Sequence, residues 1–142
     1  MQKSRARHRE SLVVMPDDGR RYDMGRMQAV FFADREQTGN RYSISEWSLE
    51  ARTEGPGAHS HPDDHIFYVL QGTLSLLIDG QRTEAPRGSY ALIPGGTSHD
   101  FSNRGAEACR FISINTPAGF EQMMPQLVKW FSDNPLGDVT AV

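Results

Sequence analysis

Four of the chain's five histidines lie in two short segments. His59, His61 and His65 fall within seven residues, and His99 follows in a segment rich in glycine. Neutral imidazole is the commonest protein ligand for transition metals. A single histidine is more often an ordinary core or surface residue, but this grouping favours a metal site. We therefore predict that all four histidines hold one divalent metal ion.

The histidines fall where the sequence predicts β-strands. On a strand, His59 and His61 would point to the same face, because successive side chains alternate between faces. His65 opens the next apolar segment, and His99 lies where the chain could return on a neighbouring strand. Imidazoles that converge from adjacent strands would form a rigid ligand set, since strands hold such geometry better than loops do.

The composition narrows the class of protein. The chain has 142 residues and a formal net charge of -3, which predicts one domain and gives no bulk charge for binding nucleic acid. No segment approaches the roughly 18 apolar residues of a membrane span, and the N-terminus lacks the apolar region of a signal peptide. A lone cysteine, Cys109, excludes an internal disulfide and lies in an apolar run, which predicts a core residue in a cytoplasmic protein.

Short alternating segments separated by turns run through most of the chain. Branched and aromatic residues of the kind that strands favour occur in residues 27–33, 42–49, 66–70, 73–78, 90–93 and 110–114. Asp79 and Gly80 predict a tight hairpin, since such a turn needs positive φ angles. Many short strands at intervals of about ten residues indicate a β-sandwich or barrel.

The C-terminal segment has a different period. Apolar residues recur there at the spacing of an amphipathic helix, with Pro125 inside the pattern, so the helix should be kinked or split near that proline. We expect this helix to pack on the sheet as core; a flexible cover over a pocket mouth is the alternative, to which the adaptable side chains of Met123 and Met124 would contribute. The residues are Phe120, Met123, Met124, Leu127, Val128 and Phe131.

These patterns divide the chain into three parts. Residues 1–11 are polar and basic and predict a flexible arm, with a targeting or nucleic-acid role as the less favoured interpretation. His8 belongs to this arm and is not expected to be a ligand. Residues 12–116 should form a β-barrel, and residues 117–142 a C-terminal helix and tail.

Both histidine segments resemble the conserved motifs of the cupins. Residues 59–72 are similar to the first motif, H-x-H followed by a metal-binding residue and a glycine. The second motif, G-x5-P-x-G-x2-H-x3-N, is matched by Gly88, Pro94, Gly96, His99 and Asn103. The layout is most similar to small single-domain bacterial cupins grouped with quercetin dioxygenase. The resemblance implies an all-β fold, a double-stranded β-helix or jelly roll, with a short C-terminal helical segment.

The chain departs from the cupin motifs at two positions. Thr53 stands where the family has its first glycine, so the turn there should be rebuilt. His65 stands where the family has a glutamate, which implies a ligand set without negative charge. Such an all-nitrogen set disfavours Mg²⁺ and Ca²⁺ and suits Fe, Ni, Cu, Zn or Mn.

Four further residues are candidates for the wall of a substrate pocket. Phe67 and Val69 follow His65 at even spacing, and Phe101 follows His99, so these side chains should face the barrel interior. Plain core packing is the alternative role for them. Tyr90 could donate a hydrogen bond to a substrate or could equally lie in a wall.

Three polar residues of the motifs have structural interpretations. Asn103 is expected to bond to the backbone of a turn. Asp63 and Asp64 lie between ligands, and a solvated loop is the expected setting. The alternative is that their carboxylates orient the imidazoles from behind.

The predicted function is that of a metal-dependent oxidoreductase of the dioxygenase type, acting on a small oxygenated organic molecule. In quercetin dioxygenase the glutamate is thought to act as a base, so its absence here puts that particular reaction in doubt. The alternatives are a metal-assisted isomerase or lyase acting on a sugar-derived or keto acid, and a non-enzymatic metal-dependent small-molecule binder. Similar proteins commonly pair through edge strands, so a homodimer formed through residues 12–15 is expected.

Overall fold

The computed structural model describes residues 9–139, which form β-strands and a few short helices. No helix in that range is long and apolar enough to cross a membrane. The strands are β1 (Arg20–Asp23), β2 (Met27–Ala33), β3 (Ser43–Leu49), β4 (Asp64–Gln71), β5 (Thr73–Ile78), β6 (Gln81–Pro86), β7 (Tyr90–Ile93), β8 (His99–Ser102) and β9 (Cys109–Thr116). The helices are α1 (Arg35–Thr38), a 3-10 helix (Phe120–Met123) and α2 (Met124–Asp133).

The strands form two antiparallel sheets. One has six strands in the order β1-β2-β3-β9-β4-β7, and the other has three in the order β6-β5-β8. Strands distant in sequence lie side by side, as where β9 runs between β3 and β4. The expected all-β jelly roll with a short C-terminal helix is therefore confirmed.

Alternation of side chains places the core between the sheets. In β4, His65, Phe67 and Val69 are buried, whereas Tyr68 between them is 45% exposed. The rings of Phe67, Phe101 and Phe111 pack edge to face with centroids 5.3–6.0 Å apart. This geometry is one that aromatic pairs favour, so three strands are joined through their rings.

Two local predictions are confirmed by the turns and the core. Asp79 and Gly80 both have positive φ angles, 49° and 81°, in the turn that joins β5 to β6. Cys109 is completely buried, and burial raises the pKa of its thiol to about 12. The cysteine is thus a core residue, and its thiol stays protonated at neutral pH.

Strand β1 was not predicted, because its sequence is charged. Arg20 donates to Asp34 Oδ2 at 2.8 Å, and its guanidinium lies 5.8 Å from the centre of the Phe31 ring. The charged Arg20 side chain therefore covers the apolar face of Phe31, so this strand does not need an apolar residue there. Since edge strands often carry charge, the hydrophobic pattern does not reveal them.

The N-terminal segment does not form the expected edge strand. Residues 12–15 adopt no regular structure, and Val13 is 80% exposed. The edges of the larger sheet are β1 and β7 instead. The predictions for residues 1–8, including His8, lie outside the described residues, and the homodimer stays a prediction.

The C-terminal helix is split at the proline, as its pattern predicts. The 3-10 turn ends at Met123, and Pro125 lies in the first turn of α2. Backbone N–H groups in a first turn have no partner within the helix, so the N–H that proline lacks costs no hydrogen bond. Met124 and Phe131 are buried against the core. The segment therefore packs on the barrel, and part of it also borders the cavity described below.

Asn103 joins a loop to the barrel and should be important for stability. Its completely buried amide donates to the carbonyls of Leu49, Glu50 and Glu107, and its oxygen accepts from the Gly105 N–H. Replacing Asn103 with alanine should lower the free energy of unfolding by about 2 kcal/mol, because buried carbonyls lose their donors. Urea unfolding would measure this. An unchanged midpoint would contradict the role.

Candidate metal centre

Three of the four predicted ligands converge at one point. The ring nitrogens of His59, His61 and His99 lie within 4.8 Å of one another. Backbone pairing brings two of them together, since the N–H of His59 donates to the His99 carbonyl at 2.9 Å and the reverse bond is 2.8 Å. His99 opens β8, but His59 and His61 lie in a loop rather than on the expected regular strand. The loop is held because the Gly96 N–H donates to the His61 carbonyl.

Backbone carbonyls orient two of these imidazoles. His59 Nδ1 lies 2.7 Å from the Gly57 carbonyl, and His99 Nδ1 lies 2.9 Å from the Thr97 carbonyl. A carbonyl can only accept, so each Nδ1 carries the proton and each Nε2 presents a lone pair. This is the tautomer in which metal-binding histidines are usually held.

A carboxylate orients the third imidazole. Asp63 Oδ1 lies 3.1 Å from His61 Nδ1, within ion-pair distance although outside hydrogen-bond geometry. Asn115 holds this carboxylate by donating from Nδ2 to Asp63 Oδ2 at 2.8 Å. Asp63 is thus enclosed and faces an imidazole. The expected solvated loop is wrong for this residue, and the alternative, a carboxylate that orients an imidazole, describes it. Asp64 Oδ1 instead accepts from the Gly95 N–H and fastens the loop.

His65 lies beside this group without belonging to it. Its ring centroid is 5.2 Å from that of His61 and 5.6 Å from that of His99. His65 Nε2 lies 2.6 Å from Ser113 Oγ, and the buried Nδ1 has no hydrogen-bond partner. The structure therefore brings all four rings together but groups the ring nitrogens of only three.

Burial keeps two of the rings neutral. Desolvation holds the pKa of His65 well below its usual value, and the neighbouring imidazoles lower it further. Desolvation also lowers the pKa of His99, although the Thr97 carbonyl opposes this effect. Neutral imidazole is the form that binds a metal.

The ring nitrogens fit a metal ion. Both ring nitrogens of His61, and Nε2 of His99, are buried without a hydrogen-bond partner. Buried polar atoms without partners are costly, and native proteins rarely leave them so. A cation would satisfy Nε2 of His99 and one ring nitrogen of His61 through their lone pairs, so the donor set suits a divalent transition metal.

His59, His61 and His65 border a cavity of about 280 Å³. Of the four predicted pocket residues, Phe67 and Phe101 line it. Val69 is buried in the core and does not, and Tyr90 is 63% exposed. Tyr90 pairs with Tyr68, whose side chain lies on the outer face of the sheet, so its phenol cannot reach the interior. Other aromatic lining residues are Trp47, Phe111, Phe120, Trp130 and Phe131.

The cupin domain family matches residues 45–115, half of the chain. This span runs from β3 to β9 and contains all four clustered histidines. The chain belongs to the cupin family. The motif resemblance found in the sequence is thereby confirmed.

Two curated relatives and a solved structure are similar to this cupin. Quercetin 2,3-dioxygenase of Bacillus subtilis is 38% identical over 85 residues, 59% of this chain and 25% of the relative. The HTH-type transcriptional regulator PuuR of Escherichia coli is 40% identical over 60 residues, 42% of this chain and 32% of the regulator. An RmlC-like cupin from Shewanella frigidimarina has 15% identity and a TM-score of 0.68, over 80% of this chain and 96% of that one. The chain thus spans about a quarter to a third of these curated relatives.

Sequence reasoning missed several residues of this cupin's site. Ser113 and Asn115 lie on β9, far along the chain from the ligands they support. Phe120 and Leu127 were predicted as core residues of the helix, with a cover over a pocket mouth as the alternative, and both line the cavity. A polar residue at an inward position of an apolar strand, as Ser113 is, was the available signal.

The metal-free cupin should lose stability as pH falls. The folded pKa values of His65 and His99 are lowered, so the unfolded chain binds protons first, near pH 6.5. The free energy of unfolding should therefore fall below about pH 6.5, by up to about 1.4 kcal/mol per pH unit for each histidine, until the folded pKa is reached. Urea unfolding of metal-free protein between pH 7.5 and 5 would measure it. His65→Gln should make the dependence shallower; an equal slope in both proteins would count against this cause.

Proposed function

We propose that this cupin is a metal-dependent oxidoreductase of the dioxygenase type, acting on a small oxygenated organic molecule. The observation that carries the proposal is the convergence of three imidazoles on one point at the wall of an apolar cavity. Similarity to quercetin 2,3-dioxygenase, named for its substrate quercetin, supports the reaction type. The similarity covers a quarter of that protein, so the reaction remains a proposal for this chain.

In this proposal His59, His61 and His99 hold one divalent ion, and His65 completes the set. The unpartnered Nδ1 of His65 supports its inclusion, because a buried lone pair needs a donor or a cation. When bound, an Fe, Ni, Cu or Mn ion supplies a Lewis acid and a redox centre, whereas Zn supplies the Lewis acid alone.

The surrounding residues have separate tasks. Asp63 holds the His61 ring in one orientation, and the Gly57 and Thr97 carbonyls do the same for His59 and His99. With the lone pair of His65 on Nδ1, Nε2 carries the proton and donates to Ser113 Oγ, which holds the ring in place. The apolar walls exclude water, which strengthens polar interactions with a bound molecule.

The test combines metal analysis with oxygen consumption. Protein purified without added metal should contain close to one transition metal per chain by elemental analysis. Protein reconstituted with Fe, Ni, Cu or Mn should consume oxygen in the presence of substrate. Absence of stoichiometric metal would overturn the whole proposal.

A second candidate is metal-dependent binding of a small molecule without turnover. It is favoured by the match to PuuR, a transcriptional regulator, and by the absence of any carboxylate among the cavity-lining residues within 9–139. A ligand that binds the metal-loaded protein and is recovered unchanged would support this function. Turnover with zinc under anaerobic conditions would instead indicate a metal-assisted isomerase or lyase.

Location and assembly belong to the proposal as well. A lone buried cysteine is consistent with a reducing cytoplasm. A homodimer is proposed from the resemblance to other cupins, and the mass in solution would test it.

A further inference from the structure

We infer that the substrate is a flat aromatic molecule of one ring, or of two fused rings, that carries two neighbouring oxygens at one end. An ortho-diphenol is the simplest member of this class. The inference rests on the proposed function, because the two oxygens are assigned to the metal. The ring size and the apolar body of the substrate are argued from the cavity itself.

The size of the cavity limits the substrate. A cavity of about 150 Å³ is enough to bind benzene. At about 280 Å³, the cavity of this cupin is roughly twice as large, which suits a substituted ring or a fused pair. A flavonol such as 3-hydroxyflavone, with its additional separate ring, is larger than the one or two fused rings that this volume suits.

The walls select an aromatic molecule. Trp47 lies with its ring centre 6.4 Å from that of Phe101 and 6.4 Å from that of Phe120. Rings at these separations present both edges and faces to a guest, and aromatic pairs gain about 0.5–1.5 kcal/mol beyond burial of area. The rings of Phe67 and Phe111 continue this wall toward the core.

The walls provide no charged side chain for an anionic substrate. Within residues 9–139, no Lys, Arg, Asp or Glu lines the cavity, and its polar groups are imidazoles, hydroxyls, indole N–H groups and backbone. The positive charge available to an anion would come from the metal ion, at the histidine end of the cavity. A sugar phosphate is therefore a poor candidate, because its hydroxyls would face apolar walls without hydrogen-bond partners.

The polar and apolar walls meet at short range. The ring of His61 lies 5.9 Å from that of Phe120, and the ring of His65 lies 4.2 Å from that of Phe67. A molecule held by these phenylalanines must place its polar atoms next to the histidines. A metal ion held by the histidines would offer its remaining coordination positions on this side, where two adjacent oxygens of one substrate could bind it.

The experiment is isothermal titration calorimetry of the zinc-loaded protein, because zinc prevents oxidation during the titration. Catechol should bind at least tenfold more tightly than phenol, glucose 6-phosphate or 3-hydroxyflavone. Phe120→Ala should enlarge the cavity and raise the affinity for 3-hydroxyflavone at least tenfold relative to catechol. Tyr90→Ala, on the outer face, is the control and should leave all four affinities unchanged.

The outcomes separate this inference from the proposed function. Tighter binding of glucose 6-phosphate than of catechol to zinc-loaded protein would overturn the inferred class and leave the metal site intact, and equal affinity for phenol and catechol would overturn the need for two neighbouring oxygens. Equal affinity for 3-hydroxyflavone and catechol would overturn the size limit. Failure to load zinc would overturn the proposed function. In that case phenol, titrated into metal-free protein, still decides whether the cavity accepts a single ring, and absence of binding would end the inference.

Discussion

Replacing His99 with alanine should lower the affinity for a divalent metal by roughly 100-fold or more. Structural zinc sites bind with about 10–16 kcal/mol from about four ligands, so each ligand contributes a few kcal/mol. His99 is buried, and its Nε2 has no other partner, so its removal takes away one lone pair and leaves no substitute. Competition with a chromophoric chelator would measure the affinity.

The control for this variant is Tyr90→Ala, which removes an exposed ring on the outer face and should retain one metal per chain. Circular dichroism should show that His99→Ala keeps the β-fold, since the backbone bonds between residues 59 and 99 do not depend on the side chain. Wild-type affinity in a folded His99→Ala protein would exclude this histidine as a ligand.

The substitution Gly55→Ala should destabilise the fold by about 3 kcal/mol or more. A β-carbon at this position would lie 1.5 Å from the backbone oxygen of Phe101 and 2.7 Å from Asp100 Oδ1. Neither group can move freely, because Phe101 lies in β8 and the Asp100 oxygen accepts from the Gly57 and Phe101 N–H groups. Overpacking against side chains costs about 1–3 kcal/mol, and backbone contact should cost more.

Gly137→Ala is the matched control, since a β-carbon there meets nothing within 4 Å. Urea unfolding of both variants would give the difference in stability. Because β8 begins with His99, Gly55→Ala should also weaken metal binding. Equal stability of the two variants would show that the loop can move away from β8.

Most of the sheet could be predicted from side-chain alternation. Strand β5 occupies the predicted residues, and β9 extends the predicted segment by one residue before it and two after it. Strand β1 could not be predicted, because Arg20 is stabilised by Asp34 and Phe31, which are distant in sequence. A hydrophobic pattern depends only on neighbouring residues in the sequence, so it does not reveal contacts with residues that only the fold brings close.

Residue types predicted which histidines gather in the candidate site. Residues whose role depends on where the fold places them were missed. Histidine spacing indicated which rings gather, because their chemistry differs from that of their neighbours. Sequence alone could not place Tyr90 on the outer face, because the β7 sequence, Tyr-Ala-Leu-Ile, has no polar residue that would mark its exposed side. Nor could it pair Asp63 with Asn115, which lies on a strand that only the sheet order brings near.

The mutual backbone bonds between His59 and His99 use only amide and carbonyl groups and no ring nitrogen. The polypeptide therefore fastens the two proposed ligands together by bonds that do not depend on an ion. In zinc fingers, by contrast, the apo chain is unfolded and folding is coupled to ion capture. A chelator should accordingly strip this cupin reversibly, leaving an intact barrel that takes up a replacement element at once.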